Sequence, residues 1–318
     1  MTGNLSNTKK VGAQSHLADA MPFIILLIIL VGFGIATKGA LFARNNLMAL
    51  FNQSVATIVA GLGMMFVAAI GGTDITHGSL AAVAGAFAAM ACSSLGSWSA
   101  FPVAILVGAA SGLILGTVNA RLKVPSFMAS LAILIAFRAF VSLILSTKVV
   151  FATGVISAMG RFWPRLIVTV LLIAVLGYVM ECTWFGQYCR AIGENELAMQ
   201  YAGINTARIK IAAFMISGAM AGIASIYLLG RVGGASNGIG SGFEMQVMMA
   251  MFIGGIPVTG GMRTRTYKLV LGAPMVIILE NGLVMCGTSG SVTQLVRGIV
   301  LLAVVYLMNV VQIRESRQ

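Results

Sequence analysis

The stretch Glu181-Cys-Thr-Trp-Phe-Gly-Gln-Tyr-Cys-Arg190-Ala-Ile-Gly193-Glu194-Asn195-Glu196-Leu-Ala-Met-Gln-Tyr201-Ala-Gly203-Ile-Asn205-Thr-Ala-Arg208-Ile-Lys210 lies between long apolar runs. It carries Glu181, Glu194 and Glu196, three of the chain's eight acidic residues, together with Arg190, Arg208 and Lys210. Lipid cannot solvate so many charges, so this segment does not cross a bilayer and the runs beside it are separate crossings.

Within it, Gly193 to Gly203 reads as one short helix between two glycines. Gly193 and Asn195 suit its start, Glu194 and Glu196 favour the positive end of its dipole, and Gly203 suits the left-handed residue that stops it. Leu197, Ala198, Tyr201 and Ala202 then share one face by i, i+4 spacing, giving a small apolar patch at the membrane surface. Such a helix is either a docking element or a loop filler.

Composition sets the class. Hydrophobic residues make up 59% of the 318-residue chain and charged residues 9%, with a mean hydropathy of +0.99. This excludes a soluble globular core and gives an all-α, polytopic membrane protein. The net charge of +12 would suggest nucleic acid in a soluble chain. Here Lys and Arg punctuate apolar spans, as topology markers do. Cys92, Cys182, Cys189 and Cys286 have no C-x-x-C spacing and the histidines are His16 and His77 alone, so no metal site is expected.

Residues 1–20 read as a polar tail, 21–308 as the membrane domain with the loop 181–210 inside it, and 309–318 as a charged tail. About ten crossings are expected: Met21–Ala36, Val55–Ile70, Leu80–Leu95, Phe101–Ala120, Phe127–Leu145, Leu166–Met180, Ile211–Leu229, one beginning near Glu244, Leu269–Met285 and Val292–Met308. Thr37 to Ser54 is amphipathic and expected to lie on or dip into the outer surface, and Ser146 to Arg165 reads as an outer loop. Gly108-x-x-x-Gly112-x-x-x-Gly116 and Gly218-x-x-x-Gly222 are ladders that let helices approach closely. Arg138, inside a span, must face protein or water.

Two spans are broken. Gly71-Gly72-Thr73-Asp74-Ile75-Thr76-His77-Gly78-Ser79 interrupts one, and Gly254-Gly255-Ile-Pro257-Val-Thr-Gly260-Gly261 interrupts another. The first either places irregular backbone against a cavity or is a tight turn in which Asp74 caps the next helix. With the N-terminus inside, the inner side holds twelve cations (Lys9, Lys10, Arg121, Lys123, Arg190, Arg208, Lys210, Arg263, Arg265, Lys268, Arg314, Arg317). The outer side holds six (Lys38, Arg44, Lys148, Arg161, Arg165, Arg231). That bias puts both termini and the Glu181–Lys210 loop in the cytoplasm.

The chain has no Gly-x-x-x-x-Gly-Lys-Ser/Thr loop, G-x-S-x-G elbow or H-E-x-x-H pair, which argues against an enzyme and suggests that any engine is another chain. Asp74, Glu244 and Glu280 are the acids available for ion coupling, few for a transporter acting alone.

Gly71-Gly-Thr-Asp74-Ile-Thr-His-Gly78-Ser79-Leu resembles the Gly-Gly-Ile-Asp-Leu-Ser-Val-Gly-Ser pattern of bacterial ABC importer permeases for ribose, xylose and galactose-type sugars. Ala191-Ile-Gly193-Glu-Asn195-Glu196-Leu-Ala198 with Ala202-Gly203-Ile-Asn205 resembles the cytoplasmic loop of that family, and the likeness covers most of Met21 to Met308. Thr73 and His77 depart from it, standing where apolar residues are usual.

The resemblance implies a permease subunit in the bacterial inner membrane that forms the path for a monosaccharide. Its implied partners are cytoplasmic ATPase subunits, a periplasmic solute-binding protein and a second permease, identical or paralogous. It implies no bond chemistry and no cofactor in this chain. Gly193, Glu194, Asn195, Glu196, Ala198, Ala202 and Gly203 would form the coupling helix. Gly71, Gly72, Asp74, Ser79, Glu244 and Asn281 are the expected path residues. A permease for a branched-chain amino acid or a signalling furanone, and an ion-coupled transporter, remain open at this point.

Overall fold

A computed structural model describes residues 22–147 and 150–316; the expected tail 1–20 lies outside the described residues. Helix α1 spans Pro22–Ala36. There follow α2 (Arg44–Ala69), α3 (His77–Leu95), α4 (Ala100–Arg121), α5 (Ser126–Thr147), β1 (Val150–Phe151), α6 (Gly154–Ala158) and α7 (Phe162–Cys182). The second half holds α8 (Trp184–Glu194), α9 (Glu196–Tyr201), α10 (Thr206–Val232), β2 (Gly234–Ala235), α11 (Phe243–Ile253), α12 (Thr266–Met285) and α13 (Gly290–Ser316).

Among the described residues, seven helices are long and apolar enough to cross a membrane, and three shorter apolar ones accompany them: α1, α11 and Gly290–Ala303 of α13. These ten coincide with the ten crossings expected. The expected C-terminal tail continues α13 as helix to Ser316.

Two connecting segments carry more regular structure than their sequences suggest. In the segment 37–54, after a 3-10 turn at Ala40–Phe42, the chain enters α2 at Arg44 and runs 26 residues unbroken. Between Arg44 and Val55 there is neither Gly nor Pro to stop a helix, and Ser54 is buried against protein. The loop 146–165 holds short elements of its own. β1 pairs with β2 antiparallel, Val150 opposite Ala235 and Phe151 opposite Gly234, α6 follows, and α7 starts at Phe162. Buried Arg165 ties this cap together through Met159 O (Nε, 2.7 Å), Asn52 O (Nη1, 3.4 Å) and Tyr227 O (Nη2, 3.3 Å).

The centre is α10 with α2 and α3. In the most apolar stretch of α2, 83% of residues are buried, against 17% in α5 and 22% in α7, so the latter two form the lipid-facing wall. The glycine ladders of α4 and α10 meet each other. A Cβ on Gly108 would strike the Gly218 carbonyl, one on Gly112 the Phe214 carbonyl, and one on Gly222 the Ala104 carbonyl. Backbone therefore touches backbone along the pair, which maximises dispersion contact where lipid supplies no hydrophobic drive between helices.

Replacing Gly112 with Leu is therefore expected to destabilise the fold by about 3 kcal/mol or more, because the clash is with backbone and not with a movable side chain. Gly32→Ala, where nothing lies within 4 Å of the added carbon, serves as the control. Thermal unfolding in detergent, followed by size-exclusion chromatography, should show a large loss for the first and none for the second.

Candidate functional site

The face that carries α8 and α9, called here the loop face, is built on the carbonyl end of α2. The Gly261 N–H donates to Ala69 O at 3.0 Å. A Cβ on Gly193 would collide with that same carbonyl, and one on Gly260 with the carbonyls of both Ala68 and Ala69. Gly260 and Gly261 sit at φ +78° and +89°, a conformation open to glycine with little strain. Gly261 thus supplies the partner of the last α2 carbonyl, those of Val67 and Ala68 being taken by the Gly72 and Gly71 N–H groups, and Gly193 and Gly260 allow the close approach.

The loop itself differs from the single helix expected. Gly193 and Glu194 form the last turn of α8, Asn195 is extended (φ −158°, ψ 97°), and its side chain caps α9 by accepting from Ala198 N at 3.0 Å. Gly193 is present for close approach, so it does not begin α9. Glu194 accepts the Met262 N–H at 2.8 Å instead of facing a helix N-terminus. Gly203 does follow α9 in the left-handed region, φ +79°.

Glu196 forms an ion pair with Lys210 (2.6 Å) and receives Thr206 Oγ1 at 3.3 Å, tying α9 to α10. Glu181 joins α8 to the start of α12. Its carboxylate meets Arg190 at 3.1 Å and Arg265 at 2.6 Å, and accepts the Thr266 N–H at 3.1 Å. An apolar patch is left uncovered among exposed polar residues: Leu197 is 63% and Tyr201 90% exposed, Ala198 and Ala202 are exposed beside them, and Glu194, Asn195, Gln200 and Asn205 are exposed around them. Arg208 and Arg265 lie nearby on the same face.

Beyond α2 the chain turns back into the slab. Gly71 (φ +74°) is exposed, the Thr73 N–H donates to Ser126 Oγ at 2.9 Å, and by Asp74 the chain is fully buried. Asp74 Oδ1 accepts from the Thr76 N–H (3.0 Å) and the Thr76 hydroxyl (2.6 Å). Its Oδ2 accepts from Ser217 Oγ (2.8 Å). His77 Nε2 lies 3.2 Å from the same hydroxyl, and Ser79 Oγ donates to Thr76 O at 3.0 Å.

Ser217 is about eleven residues into α10, roughly 16 Å from its loop-face end. The break is therefore a re-entrant segment that starts α3 inside the slab, and Asp74 caps nothing at a surface. Because Ser217 donates to Asp74 and the group is sealed, the Asp, His and Ser form a structural knot and do not activate a nucleophile.

A second irregular segment reaches the same depth from the opposite face. Arg138 of α5 donates to Ile239 O (2.9 Å) and Gly240 O (2.6 Å), pulling 237–240 inward. Gly240 there abuts Gly78, and the Glu244 carboxylate lies against Gly78 at the first turn of α3. Glu244 Oε2 is buried without a hydrogen-bond partner. So α3 and α11 start beside each other within the slab and run to opposite faces. Negative charge is favoured at that paired N-terminal position.

The candidate path residues thus separate. Gly71 and Gly72 belong to the hinge at the end of α2, while Asp74, Ser79 and Glu244 gather at the buried start of α3. Asn281 lies on α12 with its Oδ1 buried and without a partner. The sequence reading did not single out Ser217 or Gln246, ordinary residues in apolar or weakly polar runs, and noted Arg297 only as a cation in or near a span. Nothing local marks the partner of any of the three. No group of residues suited to a metal ion occurs among the described residues.

Two outcomes check this geometry. Burial pushes the Cys189 thiol up to about 12 despite the neighbouring Arg190. Thiolate is the reactive form, so a maleimide at pH 7 to 8 should label exposed Cys182 and leave Cys189 unmodified until the loop is unfolded. Asp74→Asn exchanges an acceptor for a donor facing Ser217 and the Thr76 hydroxyl. It should cost about 1–3 kcal/mol in thermal unfolding, whereas a surface cap would lose far less.

The family model described as branched-chain amino acid transport system / permease component matches residues 46–305. The chain is 28% identical to the ribose import permease protein of Escherichia coli K12 over 90% of its own length and 92% of that protein's. It is 28% identical to the xylose transport system permease protein of Haemophilus influenzae Rd, over 94% and 97% of the two lengths. The fructose import permease protein of Rhizobium meliloti is 27% identical over 90% and 84%. No solved structure matches the chain.

Proposed function

The chain belongs to the branched-chain amino acid transport system / permease component family, and from that premise we propose that it is the membrane subunit of an ATP-driven importer for a monosaccharide such as ribose. It is a transport component and not an enzyme. ATP hydrolysis resides in cytoplasmic subunits, cargo arrives on a periplasmic binding protein, and a second permease completes the path. The protein sits in the bacterial inner membrane with both termini and the α8–α9 loop in the cytoplasm, in keeping with the distribution of Lys and Arg.

The observation that carries this reading is the contrast within the loop. Its inner side is fastened to the ends of α2, α10 and α12, while its outer side leaves Leu197 and Tyr201 uncovered. An aromatic and an aliphatic anchor on a rigid base suit a partner groove. Gly193, Glu194, Asn195, Glu196, Ala198, Ala202 and Gly203 then have distinct tasks. The two glycines and Asn195 shape the element, Glu194 and Glu196 fasten it, and the alanines widen the contact. A push on α9 reaches α2 through Glu194, Met262 and the Gly261–Ala69 bond, and α2 passes it to the re-entrant segment Gly71–Ser79 as a rigid-body shift.

The test is uptake into proteoliposomes holding this chain, the ATPase and the binding protein from its own gene cluster. ATP-dependent ribose uptake is expected, and Leu197→Asp with Tyr201→Asp should abolish ATPase co-purification while leaving the permease folded. Uptake driven by an ion gradient without ATP would overturn the reading. The matching family's description also names branched-chain amino acids, so leucine is the competing cargo; uptake of leucine in place of ribose would transfer the assignment to it.

A further inference from the structure

A line of polar side chains crosses four helices in the half of the slab away from the loop face. The Thr57 hydroxyl of α2, which donates to Gln53 O at 3.1 Å, lies 3.4 Å from Gln246 Oε1 of α11, Gln246 Nε2 donates to Glu280 Oε2 of α12 at 2.8 Å, and Glu280 Oε1 pairs with Arg297 Nη2 of α13 at 2.8 Å. Thr57 lies roughly 18 Å and Glu280 roughly 21 Å along their helices from the loop-face ends, and Arg297 about 10 Å from the opposite end of α13. These positions agree on one depth.

The line is not closed on itself. Arg297 Nε is buried without a hydrogen-bond partner, and so is Oδ1 of Asn281, the residue after Glu280 on α12. The Glu280 side chain is 12% and that of Arg297 21% exposed, on a helix whose outward residues are Leu295, Ile299 and Leu302. A buried ion pair is a poor source of stability compared with apolar packing. A partly exposed cation at this depth must face water or protein, and not lipid. Carboxamide, carboxylate and guanidinium side by side offer donors and acceptors to several hydroxyl groups at once.

We propose that Gln246, Glu280 and Arg297, with Asn281, form a contact site for the hydroxyl groups of the cargo in the outer half of the path. The site is distinct from the knot at Asp74, which is sealed by Ser217, Thr76 and His77. It rests on the permease reading and adds specificity within the membrane to that of the binding protein. Cargo reaches it when α13 parts from α11 and α12, whereupon hydroxyl groups take up the unpaired Arg297 Nε and Asn281 Oδ1.

The experiment uses the complete reconstituted complex and one unchanged binding protein, so that any change in selectivity reports the membrane subunit. Uptake of ribose is compared with uptake of its monodeoxy analogues for the wild type, Gln246→Leu and Asn281→Leu. Should Gln246→Leu fail to assemble, Gln246→Glu replaces it. A site that bonds a hydroxyl disfavours the analogue lacking it, so the preference for ribose over at least one analogue should fall about tenfold in the variants. Wild-type preference in every assembled variant would overturn the proposal. So would an equal loss for all sugars with a lowered melting temperature, which marks a structural pair or a contact with the second permease. Absence of any sugar uptake by the wild type would overturn the transport reading, and this site with it.

Discussion

Backbone that leaves helical geometry inside an apolar slab must find its hydrogen-bond partners in the protein, since lipid has none to offer. The architecture follows from how two such segments meet that demand. The irregular passage from Gly71 to Thr76 is held by Ser126, which takes the Thr73 N–H, and by Asp74, which gathers three donors at once. The passage before α11 is held by Arg138, whose guanidinium takes the carbonyls of Ile239 and Gly240. Each supplies a side chain where a helix would supply the next turn. The result is a pair of helices, α3 and α11, that begin inside the membrane and leave by opposite faces.

Close backbone contact is the second element. Glycines at 108, 112, 218 and 222 let α4 and α10 touch along their length, and glycines at 193, 260 and 261 seat the loop on the end of α2. Partly exposed ion pairs such as Lys210–Glu196 contribute about 0–1 kcal/mol each. The stiffness of the loop face therefore comes from glycine packing and main-chain bonds, with Glu181 as the charged exception that joins three segments. A loop fastened in this way moves α2 when it moves, and α2 leads directly into the re-entrant segment. In the importer proposed above, that continuity is the route by which a soluble ATPase would act on the membrane path.

Polar residues in the interior fall into two kinds by this measure. The group at Asp74 has its partners and is closed to solvent. The line from Thr57 to Arg297 keeps unpaired atoms and some exposure, which is how a surface meant for a passing hydrophilic solute would differ from one meant to hold the fold. His77, unusual against the sugar-permease pattern, belongs to the first kind: it is packed on Ser217 and reaches nothing outside the knot.

The sequence by itself determined the class, the crossings and their breaks, because runs of apolar residues interrupted by charge or by paired glycines leave the chain few ways to satisfy its backbone in lipid. It also marked Asn195 as a cap and Gly203 as a stop, since capping and left-handed turns are decided within a few residues. It did not determine that Arg44 to Ser54 is the first part of a crossing, because a helix with polar residues on one side reads alike whether that side meets water or protein. The long-range partners of Asp74, Arg138 and Glu280 were decided by the tertiary structure alone. Ser217 and the carbonyls of 239 and 240 lie far away in the chain and Arg297 lies on the following helix, and only the packing of α10, α11 and α13 brings donor to acceptor at one depth.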